Sequence, residues 1–591
     1  MSEATVPQPD ADNDWDTIDE AVRGQLGQFL TSGTDLFNGS GLMGRLDPLS
    51  LFSPLLRTSL SAVSRPDKIA GAVSRAAGEM IRATAAASVR AAGGTPSYVP
   101  KHGKDRRFSD PAWSDNAGYW WLREIYQDCG QALLEIVRDT DTPSAIKQKA
   151  EFAVQLMVDA LAPTNFVLGN PTVIKKALDT GGQSLAKGAR NFVHDLRTNR
   201  GVPQQVVPGA HKVGDDMAVT PGKVVFRNDL MELIQYAPST AEVHEIPLLF
   251  SPPWINKYYI MDLAPGRSLV QWAIDHGHTV FMISYRNPDE QMRHVKMDDY
   301  LISGPIAALE VVRNITGADK VNLLGLCLGG TLTMATLAYL DAVGLELINS
   351  ATFLNTLIDF SEPGLLGVFT DEASIRRLER TMKRTGFLPK EDMQRSFNLL
   401  RTNDLIWNYA VSSWMMGEEP PAFDLLSWNN DSTRMPAEMH TFYLRSCYVE
   451  NELARGVMEL AGQRLDLDKV DQDLYFLSAE QDHIAPWRSS YAGARLPGGD
   501  VRFVLSNSGH IAGIVNPPSP KSIHRVLEGG RPLPEDPAEW MAAATMYAMT
   551  WWEDWAKWIG VRAGGMRKPP RMGNRKYRPI TDAPGTYVLE T

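Results

Sequence analysis

Residues 321–340 read VNLLGLCLGGTLTMATLAYL, and the way this run folds decides the class of the whole chain. Twenty residues without a charge have the length of a membrane-spanning helix. The Gly329-Gly330 pair beside the middle argues instead for a break, because glycine is where a chain turns sharply. The segment 325–329, Gly-Leu-Cys-Leu-Gly, has the pattern of a turn that carries a nucleophile at its tip between a strand and a helix, here with Cys327 at the position often held by serine. The run is therefore predicted to be a buried strand, a tight turn and a buried helix. No transmembrane segment is expected. The glycines have a steric reason: a side chain two residues before or after the tip collides where strand and helix approach. The tip also places the Cys327 sulfur at a helix N-terminus, whose partial positive charge favours a thiolate.

A nucleophile on such a turn needs a base and an acid that orients it, and on this scaffold they follow in the order Asp, then His. Asp482 stands in SAEQDHIAP after the apolar run 474–477 (LYFL), and His510 stands in SNSGH after 501–505 (VRFVL). Both positions are strand C-terminal ends, the side on which the turn at Cys327 opens. Glu480 and His483 are competing candidates for acid and base. His483 adjoins Asp482 in sequence, which makes it hard for one imidazole to bond that acid and also reach the sulfur. An oxyanion hole is expected from the backbone N–H of Leu328 and one from the loop 251–259 (SPPWINKYY), with Ile255 as the candidate. Pro252 and Pro253 have no N–H to offer. Sulfur also suits a particular chemistry. A thiolate attacking a thioester exchanges one thioester for another at little cost, so the acyl group stays activated for transfer to a hydroxyl.

Outward from the turn, short apolar runs bounded by turn residues at 246–250, 279–284, 321–324, 351–354, 474–477 and 501–505 alternate with helical spacings, which predicts a mainly parallel sheet wrapped by helices. The fold class is thus α/β, an α/β-hydrolase fold spanning 211–591. More than 100 residues separate the fourth and fifth runs and contain Trp407, Trp414 and Trp428. That gap is read as a helical cap at about 361–445. Upstream, helical patterns at 65–93, 116–139, 145–161 and 171–198 predict a mostly helical domain at 23–210. The helix at 65–93, rich in small residues with interleaved arginines, either packs on its neighbours or lies on an apolar surface. Residues 1–22 are acidic and poor in apolar side chains, so they are expected to be disordered.

A net charge of -11 and a pI near 5.6 on a chain of 591 residues argue against a general polyanion binder, and no nucleic-acid partner is expected. Cys129, Cys327 and Cys447 are too few and too far apart for a disulfide framework or a zinc site. No metal is therefore expected. The N-terminus lacks a basic and apolar leader, which predicts a cytoplasmic protein. Trp540, Trp551, Trp552, Trp555 and Trp558 have the partly helical spacing of a helix packed on the sheet. The basic run from Arg562 to Arg578, broken by Pro and Gly, reads as a surface tail.

At these residues the chain resembles the polyhydroxyalkanoate synthases, specifically their single-subunit class I. The resemblance also runs through 224–236 (VVFRNDLMELIQY), 253–259 (PWINKYY), 284–289 (SYRNPD), 357–369 (LIDFSEPGLLGVF), 403–409 (NDLIWNY), 423–431 (FDLLSWNND) and 508–518 (SGHIAGIVNPP). It covers roughly residues 100–591. It implies a transferase that polymerises 3-hydroxyacyl-CoA, with 3-hydroxybutyryl-CoA as first substrate, through a thioester on Cys327. No cofactor beyond the CoA substrate is implied. His510 takes the thiol proton, and either His510 or Asp482 activates the 3-hydroxyl during elongation. Arg401 matches a position linked to the CoA phosphates, although an ordinary surface ion pair is an equal reading of that residue. A homodimer formed through the cap, residence on the polyester granule and independence from a second synthase subunit are further implications. The residues flanking Cys327 are both leucine, and the first ~100 residues match only loosely.

Overall fold

The structure is a computed structural model and describes residues 54–591 apart from 56, 60, 63, 64, 99–101, 516, 530 and 531. The acidic segment 1–22, expected to be disordered, lies outside the described residues, as does the first part of the helical domain expected from residue 23.

Strands with apolar residues on both faces cannot sit at a wetted surface, so they collect in the middle of a sheet covered on both sides. The sheet has eleven strands, with the exposed ones at its edges: β1 Gly222–Arg227, β2 Met231–Tyr236, β3 Leu248–Ser251, β4 Val280–Tyr285, β5 Val321–Leu326, β6 Ile348–Leu354, β7 Asp473–Ala479, β8 Val501–Ser506, β9 His524–Val526, β10 Thr545–Tyr547 and β11 Thr581–Asp582. Their order across the sheet is β10-β9-β8-β7-β6-β5-β3-β4-β2-β1-β11. The six strands from β8 to β4 pair in parallel, and the pairs outside them are antiparallel. The six runs expected from sequence are the six parallel strands. The five additional strands are the antiparallel ones, and three of these have only two or three residues.

Alternate residues feed two apolar layers, as a period of two requires. Leu323, Phe353, Phe476 and Phe503 pack with Trp540 on one face, while Leu324, Tyr475, Leu477 and Val504 pack with Trp551, Trp552 and Trp555 on the other. Cys327 touches both layers. Three loops that leave parallel strands at their C-terminal ends hold the candidate site residues: those after β5, β7 and β8. They carry Cys327, Asp482 and His510, in keeping with the rule that α/β sites form beyond the carboxyl ends of strands.

The chain divides into two units, one of Val206–Leu400 with Pro421–Thr591, the other of residues up to Gln205 with Arg401–Pro420. The segment expected as one cap at about 361–445 is thus shared between units, and the boundary expected at 210 falls at Gln205. The helical unit contains α1 Pro66–Ala91, α2 Ala117–Arg138, α3 Ser144–Ala160, α4 Pro171–Asp179 and α5 Gln183–Thr198. The single pattern at 171–198 is two helices because Gly181 and Gly182 adopt φ of 56° and 84°, which an α-helix cannot propagate. Packing is the role that α1 shows: its Ala83 and Ala86 are buried against Trp120 of α2.

A close approach within this unit explains why 401–420 belongs to it. A Cβ on Gly188 of α5 would lie 2.0 Å from the Trp414 carbonyl oxygen, so only glycine admits the segment. The Trp414 indole N–H donates to Asp195 at 2.8 Å, and its ring meets Phe192 at 5.0 Å. Gly188→Ala is expected to destabilise this unit by about 1–3 kcal/mol through overpacking against backbone. Chemical denaturation checks it, and an unchanged midpoint would show that the segment does not rest on α5 in solution.

Candidate active site

The turn after β5 is a steric construction. A side chain at Gly325 would meet Gly330 Cα at 2.5 Å, and one at Gly329 would meet the Ser251 carbonyl oxygen at 2.1 Å. Between them Cys327 adopts φ 52° and ψ -119° at the start of the helix α6 Leu328–Ala342, a conformation that L-residues rarely hold and that is typical of functional strain. Its N–H donates to the Leu354 carbonyl at 2.8 Å, and its own carbonyl accepts from Gly330 N–H at 2.9 Å. Backbone bonds on both sides therefore hold the sulfur at the tip.

His510 and Asp482 arrive on loops that are tied to each other: Gln481 N–H donates to the Ser508 carbonyl and Glu480 N–H to the Ser506 carbonyl, each at 2.9 Å. His510 Nδ1 lies 2.6 Å from Asp482 Oδ2. The other carboxylate oxygen accepts from the N–H groups of Ile484 and Ala485 at 2.8 and 2.9 Å, so the acid is oriented from both ends. Cys327 and His510 line the same cavity, close enough for the charge of a Cys327 thiolate to act on the imidazole. Burial by itself pulls the His510 pKa down, but the charges of Asp482 and of a Cys327 thiolate outweigh it and push it up to about 10. A proton taken from the thiol is thus stabilised on the ring.

The competing acid Glu480 is turned outward and pairs with Arg525 at 3.1 Å. His483 stands beside Asp482 in sequence, yet the carboxylate receives the His510 ring. Behind the His510 loop, the helix Trp551–Gly560 acts as a brace: the indole N–H groups of Trp551 and Trp552 donate to the carbonyls of Gly513 and Ile514 at 2.8 and 2.9 Å.

Cys327 and His510 open on a cavity of about 100 Å³ with a mainly apolar wall that includes Ile255, Leu328, Leu357, Phe360, Phe397 and Ile511. Ile255 and Leu328, the two oxyanion candidates, both line it. Leu328 is the first residue of α6, where a backbone N–H has no carbonyl one turn earlier to bond. Trp428 also lines the cavity and is otherwise a packing residue, its N–H donating to the Lys257 carbonyl at 2.8 Å. Arg401 belongs to the helical unit, where its Nε donates to Asp404 at 2.8 Å from a half-exposed position. Cys447 is buried, which pushes its thiol up to about 12, and Cys129 is exposed.

Two lining residues, Tyr443 and Tyr448, escaped the sequence reading. They are five apart, a spacing that puts residues on different faces of an ordinary α-helix. The segment Tyr443–Val449 is a π-helix, whose wider turn stacks positions i and i+5. The Tyr443 hydroxyl accordingly donates to that of Tyr448 at 3.3 Å. Nothing in the local sequence marks that turn. Among the described residues no helix is long and apolar enough to cross a membrane, and the run 321–340 resolves into β5 and α6 as expected.

Comparison with known proteins adds identity to this geometry. Residues 104–273 match the family described as "Poly-beta-hydroxybutyrate polymerase (PhaC) N-terminus", and residues 261–517 match the alpha/beta hydrolase fold. The chain is 41% identical over 558 residues to "Poly(3-hydroxyalkanoate) polymerase" of Methylorubrum extorquens, covering 94% of this chain and 92% of that protein. It is 42% identical over 492 residues to "Poly(3-hydroxyalkanoate) polymerase subunit PhaC" of Cupriavidus necator, covering 82% and 83%. Among solved structures it is similar to the Paleococcus ferrophilus monoacylglycerol lipase, at 11% identity and a TM-score of 0.32, over 56% of this chain and 99% of that one. The chain, an enzyme on an α/β-hydrolase fold, belongs to the poly(3-hydroxyalkanoate) polymerase family.

Proposed function

We propose that the chain polymerises (R)-3-hydroxyacyl-CoA through a covalent thioester on Cys327. The observation that carries this reading is the placement of Cys327 and His510 on the wall of one apolar cavity, with His510 Nδ1 held 2.6 Å from Asp482. His510 takes the thiol proton, and the sulfur attacks the thioester carbonyl. The new oxyanion is met by the N–H groups of Leu328 and Ile255. The bond to the CoA sulfur then breaks, and the imidazolium returns its proton to that leaving thiolate. A 3-hydroxyl of a second acyl unit, deprotonated by the His510–Asp482 pair, attacks the enzyme thioester and forms the ester bond, freeing the sulfur for the next cycle. Arg401 is proposed to meet the CoA phosphates, a role that its planar guanidinium suits. Assembly as a homodimer and residence on the surface of a cytoplasmic polyester granule belong to the same proposal.

A cavity of about 100 Å³ is below the usual range for sites that enclose drug-sized ligands, and this supports a short acyl chain, with 3-hydroxybutyryl-CoA as the preferred substrate. Purified protein given that thioester is expected to release CoA and deposit insoluble polyester. Release of CoA with only free 3-hydroxybutyrate would instead make it a hydrolase. In the same assay 3-hydroxyoctanoyl-CoA is expected to show a kcat/KM lower by about tenfold or more, because four further methylenes overfill the pocket. Equal values for the two chain lengths would remove the size argument.

A further inference from the structure

Asn355, directly after β6, is fully buried, lines the Cys327 cavity and holds φ at 45°. Its side-chain N–H donates to the backbone carbonyl of His510. A carbonyl accepts only from the NH₂ end of a carboxamide, so this bond fixes which way round the amide lies. The Oδ1 atom left over is buried and has no hydrogen-bond partner among the described residues. A buried acceptor without a donor is costly, and such groups in native proteins call for an explanation. Among the described residues Asn256, which also lines the cavity, has an unpaired buried Oδ1 as well, but there no partner of its side-chain nitrogen fixes the orientation of that amide. Asn355 is anchored, and it follows Leu354, whose carbonyl accepts the Cys327 N–H.

The acyl group of a 3-hydroxyacyl thioester carries one O–H donor, two carbons from the carbonyl that the sulfur attacks. A plain fatty acyl group carries none. We infer that Asn355 Oδ1 accepts the hydrogen bond of the substrate 3-hydroxyl, which makes Asn355 a specificity-determining residue that selects hydroxylated acyl chains. The inference rests on the proposed thioester at Cys327. A site built to satisfy a substrate hydroxyl discriminates strongly because the unpaired protein group is left buried when the hydroxyl is absent.

The same side chain also braces His510, so the test separates the two roles. Asn355→Gly suits the positive φ and removes both the brace and the acceptor. Asn355→Asp also tolerates that φ; it loses the brace but keeps an acceptor oxygen. For each protein the rate of Cys327 acylation by (R)-3-hydroxybutyryl-CoA is divided by the rate of Cys327 alkylation by iodoacetamide, both read by mass at the Cys327 peptide. Alkylation reports the thiol and its imidazole without any hydroxyl. The ratio is expected to fall about tenfold in Asn355→Gly, the scale of one lost hydrogen bond, and to stay within about twofold of wild type in Asn355→Asp. A ratio unchanged in Asn355→Gly, or falling as far in Asn355→Asp, overturns the inference. Wild-type protein that is alkylated at Cys327 but never acylated there overturns the proposed function itself, a result distinct from either.

Discussion

Cys327→Ala is expected to release no CoA from 3-hydroxybutyryl-CoA, a loss of about 10⁴-fold or more, because a methyl group cannot form the thioester on which every later step depends. The fold should survive. Cys327 already holds φ at 52°, so alanine inherits the strain without adding to it, and the turn is held by backbone bonds to Leu354 and from Gly330 that the substitution leaves in place. Removing one half-buried sulfur costs on the order of 1 kcal/mol. The decisive pair of measurements is CoA release and the unfolding midpoint. Polymer formed by this variant would exclude Cys327 as nucleophile, whatever its geometry.

Asp482→Asn comes next in size, with an expected loss of turnover of about 10²–10⁴-fold. Three donors now converge on this carboxylate: His510 Nδ1–H and the N–H groups of Ile484 and Ala485. A carboxamide has one oxygen. With that oxygen kept on the two backbone donors, its NH₂ faces Nδ1, which then becomes an acceptor and moves the ring proton to the nitrogen that should deprotonate the sulfur. Some single acylation should persist, because the nucleophile and oxyanion donors are untouched. Equal and complete loss of acylation and polymerisation would argue against any separate part for Asp482 in elongation.

The same variant tests the ionic pairing through pH. His510 is raised from about 6.5 when unfolded to about 10 in the fold. A raised histidine adds stability that is fully present below about pH 6.5 and is lost as pH climbs through about 10. Denaturation of wild type and Asp482→Asn should therefore show a wide stability gap at pH 6 that narrows by pH 10. A gap independent of pH would mean that no charged imidazole leans on Asp482.

The parallel strands were legible because their apolar runs are continuous and end at turn residues: VNLL at 321–324 opens β5, and LYFL at 474–477 lies within β7. The antiparallel strands β9, β10 and β11 have two or three residues each, too few for any periodicity to register. Strands of that length exist because a neighbouring edge supplies their hydrogen bonds. The sharing of the expected cap between two units was hidden for a similar reason. It depends on what one glycine, Gly188, lets Trp414 approach, and a close approach between residues more than two hundred positions apart leaves no local trace.

Sequence alone determined the strand, tight turn and helix around Cys327 and offered the candidates Asp482 and His510 at later strand ends, since glycine sterics and the alternation of strand and loop are local properties of the chain. It left Glu480 and His483 in contention. Only tertiary structure sets the His510 ring against Asp482 and pairs Glu480 with Arg525, and only it brought Asn355, Tyr443 and Tyr448 to the same cavity. The physical reason is that hydrogen-bond direction and burial are set by which loops meet at the ends of paired strands, and by where a helix widens into a π turn, and neither is encoded in the spacing of residues along one segment.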